Sequence, residues 1–340
     1  MTYEPRNDSS NDFLSEKNVK KVVRASKRRS IIRTIMISII VVPVILIAVW
    51  FTNGVILNQA FNVLNREVQV YEVTMSPNVY VGAYSVSQGF LSEKITYTTY
   101  KIVNGKPTPW NPIAVTYRFP YGNSFVRDAN GENGPAIYPN LVSPTSAYYN
   151  TETGQRQVTF YLPQILYPHY RDDLKQLMSM SDSQSVEMAL SFNQPYTLTK
   201  VKKMLPTNVE QNWYWVDAYS QQDVKMYSQS KEQLGILSNL YGFNAQSVSG
   251  GKQSFLDHQN YDSTISGEEQ TFLDALTIGA NNQPMFREIY HNLRHGNSKL
   301  TPADVKIIGV IVSGTPTELK KLIGASYIKA SVMGAVVNNR

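Results

Sequence analysis

From Thr34 to Leu57 an apolar run of 24 positions carries no charged residue. A helix needs about 20 such residues to cross the hydrocarbon core of a bilayer, so the run predicts a transmembrane helix over 34–57. Pro43 sits mid-span, where it removes one backbone donor and predicts a kink. Trp50 and Phe51 lie near the far end, where aromatic rings favour the membrane interface. The run is longer than the roughly 7–15 apolar residues of a cleaved signal, and no small-x-small site comes closely after it. It therefore reads as a retained anchor.

Beyond the span the period changes to two. The segments VQVYEVTM, NVYVGAYSV, KITYTTYKIV and IAVTYRF, within 62–125, alternate apolar and polar positions and are rich in β-branched and aromatic residues. That is the pattern of half-buried strands. Asn104-Gly105 between two of them predicts a tight hairpin turn. Residues 120–155 are rich in Gly, Pro, Asn and Ser and read as a long loop. RQVTFYLP (156–163) reads as a strand, RDDLKQLMSM as a short helix and SDSQS as a linker.

A strand–helix–strand grammar then begins. VEMALSF is a strand, Thr197 caps the helix LTKVKKML that Pro206 ends, and NWYWVDAYS is a strand. The grammar returns with VKIIGVIVSG, a Thr315–Glu318 capping box with Pro316 at the first helical position, LKKLIG and YIKASVMGAVV. Two such units predict one ferredoxin-like sheet, with helices 197–205 and 315–323 on the same face. Residues 221–304 form an insertion with two helices, the second closed by Gly296. Leu198, Val201, Met204, Leu205, Leu319 and Leu322 should be buried, and the neighbouring lysines solvated. The fold class is α+β, in four parts: a basic segment 1–33, the span 34–57, an outer β-rich region 58–180 and an outer α+β region 181–340.

Charge orients the span. Residues 1–33 hold nine cations against four anions, and the rest of the chain holds 23 against 22. The basic balance therefore belongs to one juxtamembrane cluster. Lys27, Arg28, Arg29 and Arg33 border the span, and no charge comes after it until Arg66. By the positive-inside rule the N-terminus is cytoplasmic and the C-terminal mass extracellular. The cluster also suits anionic lipid. It is too short to present a nucleic-acid-binding fold, so direct nucleic-acid binding is not expected. Phe13, Leu14, Val19, Val22 and Val23 form a partial apolar stripe among these cations, with 19, 22 and 23 at helical spacing. It is either a contact for a partner protein or a helix lying on the inner leaflet.

Catalytic chemistry finds no support. With no cysteine, thiol nucleophiles, redox dithiols and Cys-based zinc sites are excluded. His291 and His295 are four apart, but no Glu at 292 makes a HExxH motif; they read as surface residues. Asp172 and Asp173 are adjacent, so they point apart on a helix. No GxSxG elbow occurs. No cofactor or metal is expected. The 22 tyrosines suit sheet packing better than a sugar-binding surface. Trp213, Tyr214 and Trp215 alternate faces of one strand and are candidates for an outer sensor surface on an uncovered sheet face or groove.

KRRSIIRTIMISIIVV, the span and VYEVTMSPNVYVGAYSVSQGFLSEKITYTTYKIVNG resemble the N-terminal domain of sigma factor regulators. VEMALSFNQPYTLTKVKKMLPTNVEQNWYWVDAYS, together with the chain from there to Arg340, resembles their C-terminal domain. These are membrane-anchored anti-sigma factors of low-GC Gram-positive bacteria. The resemblance implies that the cytoplasmic segment holds an extracytoplasmic-function sigma factor inactive, that the outer part reports on the envelope, and that a small membrane co-regulator takes part. An interface of standard size needs about 20–30 residues a side, which 33 residues can supply. The alternative, from another class, is an outer-surface module for cell-wall or envelope ligands with no role in transcription.

Overall fold

The computed structural model of the protein describes residues 16–126, 136–137, 147–150, 152–229, 235, 239–245, 268–294 and 296–339. The chain forms two compact units, Met1–Gln59 and Ala60–Arg340. Helix α1, Glu16–Met75, passes from the first into the second and stays helical through Pro43. It is long and apolar enough to cross a membrane, and its most apolar window is wholly exposed. The hydroxyls of Thr34 and Thr52 donate to the carbonyls of Ser30 and Ala48 one turn back. The polar groups at the ends of the run are thus satisfied within the helix, as lipid requires.

Residues 68–75 are helical, not a strand. VQVYEVTM alternates at period two, but Ala60, Leu64, Val68, Tyr71 and Met75 are all buried. They recur at steps of three and four, one face of an α-helix. Burial of that face outweighs the local β-preference of the valines.

Four antiparallel strands come next in sequential order: β1 (Val79–Gly89), β2 (Ser92–Val103), β3 (Lys106–Arg118) and β4 (Gly122–Val126). The last occupies the start of the expected long loop. Leu64 and Val68 of α1 pack on Ile95 and Tyr97 of β2 and Ile113 and Val115 of β3. Asn104 and Gly105 have φ of 52° and 74°. Two successive positive values are what a type I′ hairpin turn demands and what Asn-Gly supplies without strain. Three short strands, β5 (Ala136–Ile137), β6 (Tyr148–Asn150) and β7 (Arg156–Gln157), form a second small sheet. Of the expected strand at 156–163, only β7 is regular. The expected helix in 171–180 is a 3-10 helix, Asp173–Ser179.

The C-terminal sheet contains β8 (Gln184–Tyr196), β9 (Glu210–Val216), β10 (Gly242–Asn244), β11 (Ile307–Gly314) and β12 (Ile328–Asn338), ordered β10-β9-β11-β8-β12. β11 pairs antiparallel with both β8 and β9, and β12 pairs antiparallel with β8. Without β10 this is the interleaved pair of split βαβ units of a ferredoxin-like sheet. α2 (Leu198–Met204) is capped by Thr197, whose side chain accepts from the Lys200 N–H. The insertion contributes α3 (Gln221–Gln229), α4 (Glu268–Asn282) and α5 (Pro284–Arg294), and Phe272, Phe286 and Ile289 join the buried cluster beneath α2. α6 (Pro316–Leu319) starts in the Thr315/Glu318 capping box. Leu198, Val201 and Leu205 share that cluster with Leu319 and Leu322, so α2 and α6 cover the same sheet face. Met204 is half-buried, Lys200, Lys202, Lys203 and Lys321 are exposed, and Lys320 is half-buried.

Candidate functional site

The N-terminal candidates lie at the start of α1. Val19, Val22 and Val23 are 45%, 68% and 58% exposed, and Lys27, Arg28, Arg29 and Arg33 are exposed beyond them. Helical spacing places the three valines along one side. They form a short apolar strip among cations, available to a partner or a lipid surface. Phe13 and Leu14 lie outside the described residues.

The expected sensor surface at Trp213, Tyr214 and Trp215 is not there. All three side chains are at most 1% exposed. They do alternate faces, but both faces are covered. Tyr214 joins the cluster under the helices. Trp213 and Trp215 join a second cluster with Val158, Phe160, Tyr161 and Leu162. The Phe160 ring lies 4.8 Å from that of Trp215 and 5.9 Å from that of Trp213. The segment after β7 thus runs across the sheet face that sequence reasoning leaves free. Lys329 Nζ fixes its far end by donating to the carbonyls of Leu162, Pro163 and Ile165.

A buried ionic cluster joins the four-stranded sheet to the five-stranded one. Lys101 Nζ on β2 lies 3.1 Å from Glu187 Oε2 on β8, and neither side chain has any exposure. Asn78 Nδ2 donates to Glu187 Oε1 at 2.7 Å and the Ala335 N–H donates to Oε2 at 3.1 Å. Lys101 also sits over the Trp110 ring, 4.2 Å from its centre. Gly334 lies beside the carboxylate, where a Cβ would overlap it. The Asn104–Gly105 turn adds to the joint. The Asn104 N–H donates to Ser313 Oγ and the Gly105 N–H to Glu210 Oε2. Burying an ion pair is favourable only when its remaining valences are satisfied, and here backbone and amide donors satisfy the carboxylate.

Asp172 precedes the 3-10 helix that Asp173 begins, and the two carboxylates take different cationic partners. Asp173 is buried and accepts from Arg156 and Arg171, while Asp172 is about half exposed and pairs with Lys175. Glu72 on α1 accepts from the Val81 N–H at 2.8 Å. Loss of solvation pushes its half-buried carboxyl up to about 7, against the lowering effect of that hydrogen bond. A cleft of about 220 Å³ lies between α1 and the α4–α5 turn, lined by Val63, Arg66, Val70, Ile278 and Phe286 among others. Among the described residues no three His, Cys, Asp or Glu side chains gather as a metal-binding group. His291 is exposed on α5, and its partner His295 lies outside the described residues.

The described residues present an apolar anchor with a basic end, leading into a tightly joined C-terminal unit. No curated protein matches the chain, and no solved structure does. Two family models do. Residues 20–108 match the sigma factor regulator N-terminal model, covering most of α1, β1, β2 and the hairpin turn. Residues 177–335 match the sigma factor regulator C-terminal model, covering the ferredoxin-like sheet and its helices. Together they take in most of the chain and both sides of the Lys101–Glu187 joint, and the protein belongs to the sigma factor regulators, a family of anti-sigma factors.

Proposed function

We propose that the protein holds an extracytoplasmic-function sigma factor inactive at the inner face of the membrane and responds to the state of the envelope through residues 60–340. The two family matches carry this reading. The charge split across the uncharged run supports a cytoplasmic N-terminus. The exposed valine strip supplies apolar contact area on that side, and the surrounding cations add attraction to an acidic partner or to anionic lipid. A small membrane co-regulator would enlarge the interface. The protein acts by binding and not by catalysis. Leu64, Val68, Tyr71 and Met75 are core residues of the unit 60–340, so a rearrangement of that core would displace the part of α1 to which they belong. The burial of Trp213, Tyr214 and Trp215 takes the candidate ligand surface from this reading and from the alternative, an outer-surface module for cell-wall or envelope ligands, alike.

Full-length tagged protein, solubilised from membranes, should bring down a sigma factor. The same chain without residues 1–33 should not. Recovery of the sigma factor with the shortened chain would remove the proposed contact from the N-terminal segment. Orientation has its own test. A reporter active only in the cytoplasm, fused after Arg340, should be silent, and protease added to protoplasts should digest the outer unit. Reporter activity at Arg340 would reverse the topology.

A further inference from the structure

We propose that the loop tips of the four-stranded sheet dip into the outer leaflet, so that the outer unit rests on the membrane surface. This rests on the membrane-anchored reading above. β1 runs back along α1 toward the point where the chain enters the outer unit. The Val81 N–H meets Glu72, whereas three residues later the Tyr84 ring lies 5.6 Å from Phe61, eleven residues earlier on the helix than Glu72. Five further residues of β1, Ser85–Gly89, extend past Tyr84. At about 3.3 Å per residue they carry the hairpin tip roughly 17 Å beyond the level of Phe61. The apolar run ends at Leu57, four residues before Phe61, a stretch that spans at most roughly 14 Å even when fully extended. The tether is shorter than the hairpin's reach, so the tip meets the interfacial layer.

The tip has the chemistry for that layer. Phe90, between β1 and β2, is 69% exposed, and Tyr121, between β3 and β4, is 90% exposed. The two tips adjoin, since the Phe119 N–H donates to the Leu91 carbonyl at 2.9 Å. Phe119 itself is about half exposed. Aromatic rings at this depth place their apolar bodies among the upper acyl chains, and the tyrosine hydroxyl stays with the headgroups. Lys94 and Arg118 are exposed beside them, where cations suit anionic headgroups. Glu93, the one carboxylate within 86–94 and 117–122, is 1% exposed. A solvent-facing hairpin has no need of such a composition; an interfacial one does.

The absence of cysteine makes the test direct. Single-cysteine variants Phe90→Cys, Tyr121→Cys, Lys200→Cys and Val41→Cys carry a nitroxide in the full-length protein, reconstituted in vesicles of neutral and anionic phospholipid. Collisions with oxygen and with a water-soluble nickel chelate report depth. Labels at 90 and 121 should favour oxygen over the chelate several-fold relative to the label at 200, with 41 deeper still. Chelate accessibility at 90 and 121 equal to that at 200, with 41 buried in lipid, would overturn the docking and leave the anchor standing. Chelate access at 41 as well would overturn the anchor itself. If the tips instead served a protein partner, lipid alone would leave both labels aqueous, and the proposal would fail.

Discussion

Lys101→Met should lower the stability of the unit 60–340 by about 3–5 kcal/mol, because it leaves the Glu187 carboxylate buried without its counter-charge. The Asn78 and Ala335 donors remain on the carboxylate and favour the lower part of that range. Typical domains hold only about 5–15 kcal/mol in all, so the loss is a large share. Met matches the stem of the lysine and keeps the contact with the Trp110 face, so the effect isolates the charge. Adding Glu187→Gln should recover part of the loss, since an amide needs no counter-ion and keeps one acceptor. Urea unfolding of the full-length protein in detergent, followed by Trp fluorescence, reads both changes, as Trp213 and Trp215 are buried in the core and Trp110 lies against Lys101. An unchanged midpoint for Lys101→Met would show that the pair is energetically idle. A double variant no better than the single one would show that the unpaired charge is not the cause.

Val19→Asp combined with Val23→Asp should release the sigma factor and raise transcription of its targets. If the valine strip lies at the centre of the contact, truncating or charging it removes a hot spot of about 2 kcal/mol or more. About 1.4 kcal/mol is tenfold in affinity, so binding should weaken at least about thirtyfold. Both positions are exposed on α1, so the substitutions take nothing from a core, and the span and the unit 60–340 should be unaffected. The measurements are target transcription and the amount of variant in the membrane. Unchanged transcription at a normal membrane level would leave the strip as an interfacial helix lying on lipid.

What the sequence determined by itself was local. The uncharged run 34–57, the basic cluster before it, the Asn104–Gly105 turn, the cap at Thr197 and the capping box at Thr315–Glu318 each depend on neighbours a few residues away. Each is found in the structure where its pattern places it. The two strand–helix–strand units were readable for the same reason, and the right-handed crossover rule leaves few ways to interleave them. Distant partners decided the rest. Residues 68–75 carry a strand-like alternation, yet sheet and core bury their helical face, so α1 continues to Met75. Trp213, Tyr214 and Trp215 alternate as predicted, but nothing near them in sequence reveals that residues 158–167 cover the second face. Lys101 stands at an inward position of β2, in step with Ile95, Tyr97 and Val103. That register marks a buried charge; its partner, Glu187, lies 86 residues away in sequence. The exposed rings at 90 and 121 had no signal of their own, because exposure depends on what the fold leaves uncovered. Period and capping are read along the chain, whereas burial is a property of the surface that remains when distant segments have packed.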